Sequence, residues 1–212
     1  MALHGPAGTL RASPIAELIR RERLIAVLRR VEPREVLLAL VEELADAGVR
    51  AFEITFDAPS AAEDVRACRD HLASSQAIVG AGTVRTVDDV ERARDAGAAF
   101  IVSPILDPAV LAAALERDLP AIPGAYTPTE AEFAWRSGAT FVKLFPASSL
   151  GPAHIRELRG PLPEVEVIPT GGIDASNARA FLDAGAVAVG IGSAIVRAAP
   201  SERRAIVEAV RA

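Results

Sequence analysis

The sequence predicts an α/β fold, a single (β/α)8 barrel preceded by a short helix, and three observations predict it. Eight short apolar runs alternate with eight longer segments of helical period, and strands joined by helical crossovers pair in parallel. Four of the helical segments end in DAGV, DAGA, RSGA and DAGA, a glycine turn that stops a helix and feeds the next strand. No Pro-, Gly- or Ser-rich linker divides the 212 residues, so residues 13–212 read as one domain. An open doubly wound sheet also suits the alternation. The count of eight favours the closed barrel, here a compact one, since about 250 residues is typical.

Residues 1–12 carry no pattern and are expected to be disordered. Ser13 then caps a short helix with Pro14 at its first position, running to about Glu22. The expected strands are LIAVLR (24–29), RAFEIT (50–55), AIVGAG (77–82), AAFIVS (98–103), LPAIPG (119–124), TFVKLF (140–145), VEVIPT (165–170) and AVAVGI (186–191). The expected helices follow them at 33–47, 60–73, 86–96, 107–117, 127–137, 151–159, 175–184 and 201–211. Thr127-Pro128-Thr129-Glu130 is a capping box with proline at the first helical position, and Asp174 reads as another N-cap.

Composition narrows the function. Half of the residues are hydrophobic, enough for a sizeable core. A net charge of −5 and a pI near 5.3 argue against nucleic acid or an anionic membrane as partner. No apolar run is long enough to cross a membrane. MALHGPAGTLRAS lacks a signal-type apolar segment, so a cytoplasmic location is expected. Cys68 is the single cysteine, which excludes an internal disulfide, and its helical context suits packing. His4, His71 and His154 are scattered, so no metal site is expected.

In a barrel the chemistry gathers at the C-terminal ends of the strands. Those ends carry Arg29, Glu53, Gly82-Thr83, Ser103, Gly124, Lys143, Thr170-Gly171-Gly172 and Gly192-Ser193. Lys143 is the chain's only lysine, against 22 arginines, and it sits inside an apolar strand. A purely structural cation would be better served by arginine. A primary amine, by contrast, can attack a carbonyl and form an imine, and burial favours its neutral, nucleophilic form. Glu53 is a carboxylate in another apolar strand, suited to proton transfer or to pairing with Lys143 or Arg29. Of Arg29 and Arg30, strand alternation turns one inward, where it could hold a carboxylate. The glycines after strands seven and eight, with Ser193, suit a phosphate cradle. GAGT is no dinucleotide fingerprint.

Taken in order, LIAVLRR, FEITFDAP, VGAGTV, FIVSP, IPGAYTPTE, VKLFPAS, GPAHIRELRGPLP, PTGGI and AVGIGSAIV resemble the family of 2-keto-3-deoxy-6-phosphogluconate (KDPG) and 4-hydroxy-2-oxoglutarate (KHG) aldolases. The resemblance implies a class I aldolase without metal or other cofactor, on a (β/α)8 barrel, usually a homotrimer. It would cleave a 4-hydroxy-2-keto acid to pyruvate and an aldehyde, glyceraldehyde 3-phosphate or glyoxylate. It implies Lys143 as the Schiff-base lysine and Glu53 as the proton shuttle. Arg29 and Thr83 would meet the pyruvate carboxylate, Thr170 would lie close to the substrate, and Gly171, Gly172, Gly192 and Ser193 would receive the phosphate. A gluconate-type branch has arginine where this chain has Asp57, and lacks the arginine that ends strand one. Arg29 instead resembles other branches, including the galactonate-type enzyme. Tyr126, after IPGA, is a further pocket position of unassigned role. A non-aldolase phosphate-binding barrel, such as an isomerase or synthase, is the competing reading.

Overall fold

The computed structural model describes residues 7–211. Ser13 accepts the Ala16 N–H at 3.2 Å and Pro14 opens helix α2 (Pro14–Glu22). Residues 7–11 depart from expectation, because they form a helical turn, α1 (Ala7–Arg11). Arg11 stacks 3.6 Å from the centre of the Trp135 ring and donates Nε to the Ala139 carbonyl at 2.9 Å, and these contacts dock the turn. The rest of the expected disordered segment, residues 1–6, lies outside the described residues.

Strand and helix then alternate: β1 (Leu24–Leu28), α3 (Arg34–Asp46), β2 (Ala51–Thr55), α4 (Ala61–His71), β3 (Ile78–Gly82), α5 (Val87–Asp95), β4 (Ile101–Val102), α6 (Pro108–Leu115) and β5 (Ala121–Ile122). There follow β6 (Gly124–Ala125), α7 (Pro128–Arg136), β7 (Val142–Leu144), α8 (Ala147–Arg159), β8 (Val167–Pro169), α9 (Ala178–Asp183), β9 (Val189–Ile191), α10 (Ser193–Arg197) and α11 (Pro200–Arg211). The four glycine turns behave as read: Gly48, Gly97, Gly138 and Gly185 all have left-handed φ. The capping box at Thr127 and Glu130 is formed, with a second at Thr86 and Asp89. At Asp174 the helix starts later than expected. Its carboxylate accepts from Ser176, making a turn, and Asn177 precedes α9.

All strand pairs are parallel, but the ladder is not one closed sheet. Six strands pair in the order β5-β4-β3-β2-β1-β9 and three in the order β6-β7-β8. The expected fifth strand is split at Pro123, which has no N–H to give a ladder. Between β8 and β9 the ladder thins to a single bridge, Thr170 with Gly190. The fold is thus α/β, parallel and barrel-like, with interrupted pairing at two points.

Alternation along the strands sorts the core into two parts. Phe52 and Ile54 of β2 face the helices and join the larger apolar cluster there. Ala51, Ile25, Phe100, Ile122, Phe141 and Ile168 fill an inner cluster, which Ala16 and Ile19 of α2 also join. Each large side chain so buried contributes about 1.5–3 kcal/mol. Two residues further along the same strands come Val27, Glu53, Val102, Gly124, Lys143 and Thr170. At this level Glu53, Lys143 and Thr170 bring polar groups to the otherwise apolar inner face, and the candidate site sits around them.

Candidate active site

Lys143, in the middle of β7, is 5% exposed, and Glu53 of β2 is 2% exposed. Lys143 Nζ lies 3.9 Å from Glu53 Oε1 and 5.2 Å from the centre of the Phe145 ring. Glu53 Oε1 has no hydrogen-bond partner among the described residues. Glycine on β3 makes room for this carboxylate, since a Cβ on Gly82 would come within 2.0 Å of Glu53 Oε1. A buried acid and a buried amine thus face each other at a separation too long for a direct hydrogen bond.

Arg29 follows β1 and lines a cavity of about 260 Å³ together with Lys143, Thr170, Gly171, Gly172, Gly192 and Ser193. Arg30 does not line it. Arg29 donates NH1 to Asp57 Oδ2 at 2.8 Å and NH2 to Thr83 Oγ1 at 3.3 Å. Asp57 also takes the Thr55 hydroxyl at 2.7 Å and an ion pair with Arg30 at 3.3 Å. Burial pushes the Asp57 carboxyl upward, but Thr55, Arg29 and Arg30 together hold it below its ordinary value. Glu53 and Thr83 do not line the cavity; each touches it through a residue that does.

Glycine backbone forms part of the lining. Gly171 and Gly172 have left-handed φ, and neither their N–H groups nor that of Gly192 donates to a backbone acceptor among the described residues. Gly190 carries no side chain where Thr170 packs; a Cβ there would approach Thr170 Oγ1 to 2.3 Å. Asp174 also lines the cavity. Hydrogen bonds from the Ser176 hydroxyl and backbone hold its carboxyl below the ordinary value. Tyr126 is exposed and is not part of the cavity.

Of the nine residues given a role from the sequence, seven line one cavity and Glu53 and Thr83 adjoin residues that line it, whereas Tyr126, read as a pocket position, lies outside it. Sequence reasoning noted Asp57 only as a departure from the gluconate-type branch and did not foresee its contacts with Thr55, Arg29 and Arg30, whose signal was an acid four residues after Glu53 facing an arginine pair. It also missed Phe145 and the short helix α10. Cys68 is buried and inert, its thiol pushed up to about 12 by burial. Among the described residues no three His, Cys, Asp or Glu side chains cluster as metal ligands would, and no helix is long and apolar enough to cross a membrane.

Comparison with known proteins identifies the family. Residues 15–210 match the family model for KDPG and KHG aldolase. The 2-dehydro-3-deoxy-6-phosphogalactonate aldolase of Escherichia coli is 36% identical over 182 residues, 85% of this chain and 88% of that one. The 2-dehydro-3-deoxy-phosphogluconate aldolase of Treponema pallidum is 40% identical over 164 residues, 77% of each chain. A solved structure of KDPG aldolase from Legionella pneumophila, with pyruvate captured as a covalent carbinolamine, superposes with a TM-score of 0.78 at 26% identity, covering 98% of this chain and 97% of that one. The chain belongs to the KDPG and KHG aldolase family and is an aldolase, a carbon–carbon lyase.

Proposed function

We propose that this aldolase works through an imine on Lys143 and needs no metal. The buried Lys143–Glu53 pair carries the reading. The carbinolamine captured in the Legionella relative supports it. The substrate is a 4-hydroxy-2-keto acid. Lys143 Nζ, having passed a proton to Glu53, attacks the C2 ketone, and Glu53 returns that proton to the departing hydroxyl as the carbinolamine loses water to an iminium. The 3.9 Å spacing admits a water between the two groups. Glu53 then takes the C4 hydroxyl proton. The C3–C4 bond breaks, its electrons pass into the iminium to give an enamine, and the aldehyde departs. Protonation at C3 and hydrolysis release pyruvate and regenerate the amine.

Arg29 and Thr83 hold the substrate carboxylate, so the ketone is positioned before chemistry begins. Thr170 lies beside the reacting carbons. Gly171, Gly172, Gly192 and Ser193 take a terminal phosphate through N–H and hydroxyl donors. The same reading closes the two sheets into one (β/α)8 barrel through the fifth strand and the Thr170–Gly190 bridge. It also makes the enzyme a cytoplasmic homotrimer, which light scattering tests.

Arg29 and the Escherichia coli relative favour a galactonate-type substrate, while the Treponema relative favours the gluconate epimer. Pyruvate release from each epimer and from 4-hydroxy-2-oxoglutarate, followed with lactate dehydrogenase, tests the function. Turnover of any one sustains it. Turnover of none, by folded protein, overturns it.

A further inference from the structure

We infer that Asp57 is a positioning residue: held by Thr55, it fixes the Arg29 guanidinium so that NH2, beside Thr83, is presented to the carboxylate of the incoming keto acid. The inference rests on the reading of Lys143 and Arg29 just given. Its ground is a chain of four side chains drawn from three strand ends. The Thr55 hydroxyl, 2% exposed as a residue, donates to Asp57 Oδ1 at 2.7 Å. Asp57 Oδ2 accepts Arg29 NH1 at 2.8 Å, and Arg29 NH2 reaches Thr83 Oγ1 at 3.3 Å.

Two further features make Asp57 the pivot. Its backbone carbonyl accepts Arg30 NH2 at 3.1 Å and its carboxylate pairs with Arg30 Nε at 3.3 Å, which draws the second arginine away from the cavity. Arg30 and Thr83 both hold left-handed φ, 48° and 56°, a conformation costly for non-glycine residues and typical of sites fixed for function. Arg29 is long and its side chain 53% exposed. Left unheld, it would have to be ordered when substrate binds, at a cost in affinity that Asp57 removes in advance. Both Asp57 oxygens are already occupied. It therefore acts through Arg29 and does not itself exchange a proton with substrate.

The test compares two carbonyl compounds, pyruvate and hydroxyacetone, the second having no carboxylate. The fraction of Lys143 modified on borohydride reduction is measured against the concentration of each. Asp57→Asn should raise the half-saturating pyruvate concentration about tenfold, leaving the hydroxyacetone curve and the limiting pyruvate adduct unchanged. Thr55→Val should move pyruvate the same way by less, and Thr55→Ser should restore it. Thr55→Val carries the test alone if Asp57→Asn does not fold. Pyruvate binding unchanged or tightened in these variants overturns the inference, and so does an equal shift for both compounds, which is the mark of a merely structural role. No adduct from either compound in the unaltered protein overturns the Schiff-base reading itself, and this inference with it.

Discussion

Two ion pairs in this molecule centre on a buried cation, and they are built in opposite ways. Arg203 of α11 gives Nε to the Ile195 carbonyl at 3.1 Å and NH2 to the Val196 carbonyl at 3.0 Å, and its NH1 forms an ion pair with Glu43 Oε2 at 2.5 Å. Every nitrogen of its guanidinium is engaged, and α3, α10 and α11 are tied together. Lys143 comes no nearer than 3.9 Å to Glu53, whose Oε1 has no partner among the described residues. Glu43 Oε1 is also without one, but its side chain is 40% exposed, whereas that of Glu53 is 3% exposed. Removing charge from water is offset only when its hydrogen bonds are completed. Arg203 meets that condition, and the Lys143–Glu53 pair does not. An incomplete pair at this depth is a cost to folding, and such costs concentrate where a group must react.

The comparison can be broken by mutation, and the largest effect belongs to the open pair. Lys143→Arg keeps the charge and removes the nucleophile, so cleavage should fall by about 10⁴-fold or more with the circular dichroism spectrum retained. Glu53→Gln should lower kcat by about 10²–10⁴-fold, measured with saturating substrate, and leave KM less affected. The closed pair should respond in the other currency. Arg203→Ala strands two carbonyls and a carboxylate, and should cost about 2–4 kcal/mol in urea unfolding.

Asp57 sharpens the contrast from between the two. Its carboxyl is held below its ordinary value of 3.8, so its contacts stabilise the fold above that pH and are lost as pH falls through the depressed value. Its arginine partners are more than half exposed, which keeps the effect under about 1 kcal/mol. Asp57→Asn and the unaltered protein should differ by that amount at neutrality and converge in acid, as read by unfolding against pH.

Much of this was legible in the sequence, for reasons specific to particular residues. Lys143 stood out because it has no companion lysine, and Glu53 because a carboxylate in AFEIT breaks an apolar strand. The helix stops were legible because each needs a glycine at left-handed φ. What could not be read were events that depend on neighbours distant in the chain. Pro123 splits a strand because its missing N–H falls where the ladder would continue. The α1 turn is ordered by Trp135 and Ala139, more than a hundred residues away. Asp57 was legible only as standing where a gluconate-type branch has arginine, which left its role unassigned; its worth lies in what it does to Arg29.

The most direct test of the contrast is covalent. The protein is incubated with pyruvate and borohydride, its intact mass is measured, and the modified peptide is mapped. The account predicts one adduct per chain, on the peptide bearing Lys143, absent in Lys143→Arg. Folded protein that gains no adduct, or gains it elsewhere, would show that the open pair is not the reacting one.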